Sequence, residues 1–346
     1  MSQGPVISVK PLGFPWETVD PFLFCAYHDD KYPAGNGALA PAASLAGRDI
    51  GQDFSRKDGW SMYHGDTVPG FPAHPHRGFE TVTVVRKGLI DHSDSLGAAA
   101  RFGQGDAQWL TAGAGVVHSE MFPLLDKEQP NPLELFQIWL NLPARSKMVP
   151  AHFTMFWGQD IPRLVARDDA GRETIISTVA GELPGAGQPL APPPDSWAAQ
   201  PEADVAIWTL RMAPGAKWVL PAAKGEGTRR TLYFFKGATV RFDGEEVAHP
   251  AAVEVRAGVP IELVNGDAES EFLMLQGRPI GEPVAQYGPF VMNSQAEIAQ
   301  TLQDYRRTQF GGWPWKDSAP VHGQDASRFA QHPGGRRETP EVKNLS

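Results

Sequence analysis

Residues 79–88, Phe-Glu-Thr-Val-Thr-Val-Val-Arg-Lys-Gly, alternate in character and are rich in β-branched side chains. Such a run predicts a half-buried strand: successive side chains leave opposite faces, and branched ones pack well on a pleated surface. Just beyond it, Asp94-Ser95-Leu96-Gly97 and Gly103-Gln104-Gly105-Asp106 carry turn chemistry. Further strands are expected at 107–111, 115–122 and 134–142. Strands with turn signals roughly every ten residues predict a sandwich or barrel, not a sheet with crossover helices. The composition agrees, since 36 Gly and 32 Pro in 346 residues suit short strands between turns better than a helical bundle.

The pattern then recurs. The stretch 181–201, with Leu190-Ala191-Pro192-Pro193-Pro194-Asp195, has linker chemistry, because proline removes donors and fixes the backbone. Strands resume at 204–212, and 231–242 repeats the character of 81–92, with a Lys-Gly turn in each (Lys87-Gly88 and Lys236-Gly237). Gly258 and Gly266 echo the spacing of Gly105 and Gly113. The expected architecture is all-β, two β-barrels in tandem with a short C-terminal helix. The divisions expected are 1–145, 146–290 and 291–346. In the last of these, Ser294 and Glu297 fit a capping box, Ile298, Leu302 and Tyr305 share a face, and Gly311-Gly312 ends the helix. Beyond Trp315 the chain is polar and reads as a mobile tail.

Charge and cysteine content narrow the function classes. With 40 acidic against 31 basic residues, a net charge of −9 and no clustered basic run, direct nucleic-acid binding is disfavoured. Cys25 is the single cysteine and reads as a small core residue. The opening segment lacks a signal peptide's pattern and no run approaches a membrane span, so a soluble cytoplasmic protein is expected.

Two segments stand apart as chemistry. In His74-Pro75-His76 the imidazoles lie two residues apart, so on a strand they share one face. His118-Ser119-Glu120 repeats that spacing after Val116-Val117. On neighbouring strands inside a barrel, the two pairs supply three nitrogens and one carboxylate oxygen, a set suited to iron, manganese, cobalt, nickel or copper. Six-coordinate metal would keep two positions open, and a closed zinc site would more often use cysteines. Glu80 has the parity of His74 and His76 and is expected to point inward as well. His28, His64 and His92 read as loop histidines, with His92 exposed near its turn.

Taken together, these segments resemble the pirin family. The resemblance rests on His74-Pro75-His76-Arg77-Gly78-Phe79-Glu80-Thr81-Val82, on Gly105-Asp106 with Gln108-Trp109, and on Thr111-Ala112-Gly113-Ala114-Gly115 before His118-Ser119-Glu120-Met121. Gln137-Ile138-Trp139-Leu140-Asn141-Leu142-Pro143, Gly288-Pro289-Phe290-Val291-Met292-Asn293 and Gly311-Gly312-Trp313-Pro314-Trp315 extend it. It implies a bicupin, two jelly-roll barrels with one metal in the N-terminal barrel, held by His74, His76, His118 and Glu120. Iron(II) is the family's usual metal; nickel, copper, manganese, cobalt and zinc fit the same donors. Ordinary cupins take their carboxylate from the first motif, here Glu80, whereas the pirin pattern uses Glu120 and leaves Glu80 behind the ligands. Aligning the Lys-Gly turns and the later glycines puts Ala223, Gly225, Glu271 and Leu273 at the four ligand positions of the second barrel, which therefore should hold no metal.

The resemblance implies two kinds of function. One is a dioxygenase of the quercetin 2,3-dioxygenase type, cleaving a flavonol with dioxygen, with Glu120 as first and Glu80 as second choice of base and Phe79, Phe102, Trp109 and Met121 as apolar wall. The other is an iron-dependent, redox-sensitive regulator acting on a protein partner. A flavonol needs a cavity of several hundred Å3, on the order of a drug-sized site, which a regulator does not.

Overall fold

The computed structural model describes residues 4–340. Two compact units emerge, each from two stretches of chain: Ala26–Gln159 with Glu282–Ser346, and Met1–Cys25 with Asp160–Gly281. These are discontinuous where the sequence reading drew three consecutive pieces.

In the first unit, one sheet runs in the order His152–Phe156, Ala107–Thr111, Phe79–Lys87, Asn131–Asn141, Phe22–Tyr32. A second runs Arg337–Glu338, Phe329–Gln331, Ala99–Gly103, Leu89–Asp94, Val116–Met121, Gly70–His76. Tyr32, Val85, Leu110 and Leu135 from the first sheet pack with Ile90, Phe102, Val116 and Ala330 from the second in one buried cluster. The two sheets thus face each other across a shared core, as jelly-roll barrels do. In the second unit, a seven-stranded sheet (Val6–Lys10, Ala251–Arg256, Arg229–Lys236, Ser270–Gly277, Ala206–Met212, Glu173–Ala180, Arg163–Arg167) faces a four-stranded one (Lys217–Leu220, Ile261–Asn265, Thr239–Phe242, Glu245–Ala248). Trp208, Leu232, Phe234 and Phe272 meet Leu220, Val240, Phe242 and Leu263 in its core. The expected pair of β-barrels is what forms. In both units the strand before the Lys-Gly turn lies in mid-sheet, at Phe79–Lys87 and Arg229–Lys236.

The turns close with the chemistry their residues supply. Asp94 Oδ1 accepts from the amides of Leu96 and Ala98, both at 2.9 Å, and Gly97 takes the left-handed backbone the turn requires. Asp106 Oδ2 accepts from the amide of Gly103 at 2.9 Å and closes the next turn.

The helix spans Gln295–Thr308. Ser294 Oγ accepts from the Glu297 amide at 3.3 Å, while the Glu297 carboxylate reaches back to the Asn293 amide at 3.1 Å and the Ser294 hydroxyl at 2.8 Å. Ile298, Leu302 and Tyr305 pack with Ala285, Phe290, Met292 and Phe310. The helix ends at Gln309, in left-handed backbone, two residues before the glycines expected to stop it. Ser294→Ala is expected to cost about 1 kcal/mol, read as a lower midpoint in urea with an unchanged slope.

The segment after Trp315 is not the mobile tail expected. Phe329–Gln331 pairs antiparallel with Ala99–Gly103 and extends the second sheet. The Trp315 indole donates to the Asp94 carbonyl at 2.9 Å, and the His322 amide to Asp91 Oδ2 at 2.7 Å. Backbone pairing and buried polar anchors overrule a polar composition. Residues 341–346 of that expected tail lie outside the described residues.

Candidate metal centre

The ligand pairs sit on neighbouring strands. Gly70–His76 pairs antiparallel with Val116–Met121, and His74 lies directly opposite His118. The register slips between Phe71 and His74, a bulge at Pro72-Ala73. The bulge has a chemical use. It aims the Pro72 carbonyl at His74 Nδ1, 2.8 Å away. A carbonyl only accepts, so Nδ1 carries the proton and Nε2 keeps its lone pair for a metal.

His74, His76 and His118 bring their ligating nitrogens within 4.8 Å of one another. Their ring centroids form a near-equilateral triangle, 4.8 Å (His74–His76), 4.5 Å (His74–His118) and 4.8 Å (His76–His118). His74 Nε2 and His118 Nε2 are 3.0 Å apart. Two nitrogens each ~2.1 Å from one ion, at right angles, would be separated by about that distance. The donor set therefore fits a divalent ion held on one face by three imidazoles.

Glu120 stands beside them, with Oε2 3.9 Å from His118 Nε2. The Thr83 hydroxyl donates to its Oε1 at 3.0 Å and the Gln137 amide to its Oε2 at 3.2 Å. Burial pushes its carboxyl up, against the opposing effects of His92 and of these two hydrogen bonds. Burial also lowers the three imidazoles, His74 to about 4 and His76 and His118 well below the ordinary value. All three stay neutral near pH 7, the form that binds metal.

Two glycines hold this geometry close. At Gly78 a Cβ would lie 1.9 Å from the Val291 carbonyl oxygen, and at Gly115 it would lie 2.5 Å from the Phe310 ring. Both have positive φ. Arg77, next to His76, donates to the Ala114 carbonyl at 2.7 Å, pairs with Asp304 at 2.9 Å and lies over the Phe310 ring.

Several expectations need correction. Glu80 does not share the site's face. Thr83, which touches Glu120, is three residues away on the same regular strand, so Glu80 leaves the opposite face, where it accepts from the Thr111 hydroxyl at 2.6 Å. The parity inherited from His74 fails because Gly78 breaks the strand between them. Val82 sits opposite Trp109 on that same outer face, Phe102 belongs to the shared core, and Met121 packs with Leu39, Ala40 and Val68. Of the predicted wall, Phe79 is at the site, its ring 5.1 Å from His76. Trp139 joins it at 5.5 Å from His76, and Phe71 lies 6.4 Å from His74.

His92 is fully buried, not exposed: its ring is 5.5 Å from His118 and its Nε2 is 3.1 Å from Asp94. The strand Leu89–Asp94 enters the sheet interior before its turn, which carries His92 with it. His28 is buried too, bonded through Nδ1 to the Tyr63 hydroxyl at 2.8 Å, which donates to Asp30 at 2.8 Å. His64 remains an exposed loop residue.

Thr83, Gln137, Phe71, Trp139 and His92 escaped the sequence reading because they reach the site through strand register. Thr83 opposite Gln137 is a ladder pair that only the pairing of residues 79–87 with 131–141 reveals. Gln137→Leu removes one of the two hydrogen bonds to Glu120, and is expected to weaken divalent-metal binding by roughly 10–100-fold, measured by competition with a chelator. His28→Asn gives a pH test. Burial lowers His28 from the ordinary 6.5 to about 4, so acid costs the wild type stability across that interval, because the unfolded chain binds the extra proton. The stability deficit of the variant should narrow as pH falls from 6.5 to 4, read by urea unfolding at each pH.

Known proteins match this chain in both halves. The family pattern described as Pirin matches residues 12–140, and that described as Pirin C-terminal cupin domain matches residues 207–311. A Pseudomonas aeruginosa protein provisionally named quercetin 2,3-dioxygenase is 36% identical over 244 residues, which is 70% of this chain and 80% of that one. Pirin-1 of Arabidopsis thaliana is 36% identical over 247 residues, 70% of this chain and 78% of its own. A crystal structure of quercetin 2,3-dioxygenase from Acinetobacter baumannii superposes with a TM-score of 0.68 at 27% identity, covering 90% of this chain and 99% of that one. With its two barrels, its triangle of histidines and relatives that span most of its length, the chain belongs to the pirin family.

Proposed function

We infer that this protein is a metal-dependent dioxygenase that cleaves a flavonol such as quercetin. The observation that carries the reading is the triangle of half-buried His74 with buried His76 and His118, with Glu120 at its edge and aromatic rings around it. The relatives named for quercetin cleavage supply the substrate class. His74, His76 and His118 would hold the ion, with Glu120 as fourth donor, and iron(II) suits that mixed nitrogen and oxygen set. When bound, the ion supplies Lewis acidity and a path for electrons to dioxygen.

The chain's own residues do the rest. Phe71 and Trp139, both half-buried, offer rings to a flat aromatic substrate, with Phe79 packed behind Trp139. Glu120 takes the proton of the flavonol 3-hydroxyl. Its raised pKa brings it closer to the working pH, and Thr83 and Gln137 keep its oxygens oriented. Burial keeps water from competing for the deprotonated substrate. One dioxygen enters, and one ring carbon leaves as carbon monoxide beside the depside ester.

The test is an aerobic quercetin assay on iron-loaded protein, following flavonol absorbance and carbon monoxide release, with Glu120→Gln alongside. Turnover lost in that variant while the folded protein keeps its metal supports the role given to Glu120. Stoichiometric metal without flavonol loss defeats the reading and favours a regulator that works through a protein partner.

A further inference from the structure

Among the described residues the second unit carries no histidine triangle, yet its barrel contains a cavity of about 400 Å3, within the range of small-ligand sites. Ala223, which the turn alignment places at the position of His74, lines it. So do Arg230 and Gln276, directly opposite each other on the strands Arg229–Lys236 and Ser270–Gly277. Arg230 stands seven residues before Gly237, as Thr81 stands seven before Gly88, and Thr81 faces Trp139 in the same ladder position of the first unit. Where one barrel places the pair Thr81 and Trp139 beside its metal ligands, the other places Arg230 and Gln276.

That guanidinium is 1% exposed. It donates through Nε and Nη2 to Gln276 Oε1, at 2.8 and 2.5 Å, and through Nη1 to the Pro221 carbonyl at 2.8 Å. All these acceptors are neutral. Three of its five N–H donors are used and two remain. The carboxylate of Asp204, also on the cavity wall, is engaged by the Gly225 amide at 2.8 Å and the Thr228 hydroxyl at 2.9 Å. Asp204 favours the cation from a distance without pairing directly, and a buried guanidinium with no direct ion-pair partner is costly, a cost that a ligand anion would relieve. Trp208, also in the lining, has an indole N–H with no partner among the described residues.

We propose that the second barrel binds a small aryl carboxylate, its carboxylate on the Arg230 fork and its ring against the apolar lining. The fork geometry of guanidinium suits a carboxylate. Lys224 on the wall is paired with Glu182, which leaves Arg230 and Asp204 as the remaining charges; Asp204 disfavours a dianion such as phosphate, so a monoanion is the fitting charge. Pro184, Pro189, Val205 and Trp208 give the flat apolar surface for a ring. The proline-rich stretch, a linker by composition, forms part of that wall.

The experiment titrates the full-length protein, freed of metal, with sodium benzoate at constant ionic strength, using benzyl alcohol as the uncharged control. Saturable one-to-one binding of benzoate, absent for the alcohol, is expected in the wild type and unchanged in His76→Ala. Arg230→Gln should weaken it at least tenfold, with Arg230→Lys between the two. If Arg230→Gln does not fold, crystals soaked in 4-bromobenzoate replace it, with the bromine signal expected beside Arg230. No saturable binding, equal binding by Arg230→Gln, loss in His76→Ala, or bromine located elsewhere would each overturn the proposal.

Discussion

His76→Ala lowers divalent-metal affinity by more than ~10²-fold, beyond what loss of a group behind a ligand costs, and leaves the protein folded. The reasoning begins with the triangle. Each imidazole lies about as far from the other two as they lie from each other, so no remaining pair can close the gap left by the third. Glu120 cannot substitute, because it already supplies the fourth donor beside the imidazoles and is oriented there by Thr83 and Gln137. Folding survives because the variant loses a neutral ring, not a charge, and a barrel core built around Tyr32, Val85 and Phe102 stays intact. Competition with a chelator reads the affinity, and circular dichroism reads the fold. Wild-type affinity in the variant would remove His76 from the ligand set.

Arg101→Leu has the largest expected effect on stability. Arg101 donates through Nε and Nη2 to both oxygens of Asp91, at 2.7 and 2.6 Å, and both side chains are fully buried. Asp91 also receives the His322 amide, and Arg101 reaches the Asp325 carbonyl, so the pair ties the segment beyond Trp315 to the sheet. Removing one member leaves an unpaired buried carboxylate, at a cost of roughly 3–5 kcal/mol. For a unit of this size the melting temperature should fall by roughly 10 °C. Amides of residues 329–331 should exchange faster than those of residues 79–85. The double variant Asp91→Leu/Arg101→Leu should recover part of the loss, since neither charge then remains buried alone. A single variant as stable as the wild type would mean the pair contributes little.

The sequence made the barrels and the histidine pairs legible because both rest on local spacing. Alternation at 79–88 needs only the strand period, and His-x-His needs only that two residues share a face. What escaped depends on pairing between distant segments. Glu80 was assigned to the wrong face because the bend at Gly78 separates its strand from that of His76. His92 was read from its neighbours in a turn, whereas its burial comes from Val116–Met121 lying beside it. The tail was judged by polarity, while its anchors are three residues, Trp315, His322 and Phe329, spread among polar ones. The cavity of the second barrel was invisible for a further reason. A missing metal motif says only what a site does not hold, and Arg230 becomes notable once its neighbours prove neutral.

The central claim is that one divalent ion sits on the three imidazoles of the first barrel, beside Glu120. X-ray absorption at the metal edge of iron-loaded protein tests it most directly. The account predicts one ion per chain with three imidazole ligands and oxygen donors completing the shell, falling to two imidazoles or to no bound metal in His118→Ala. A protein that retains no divalent metal, or a spectrum without imidazole scattering, would contradict it.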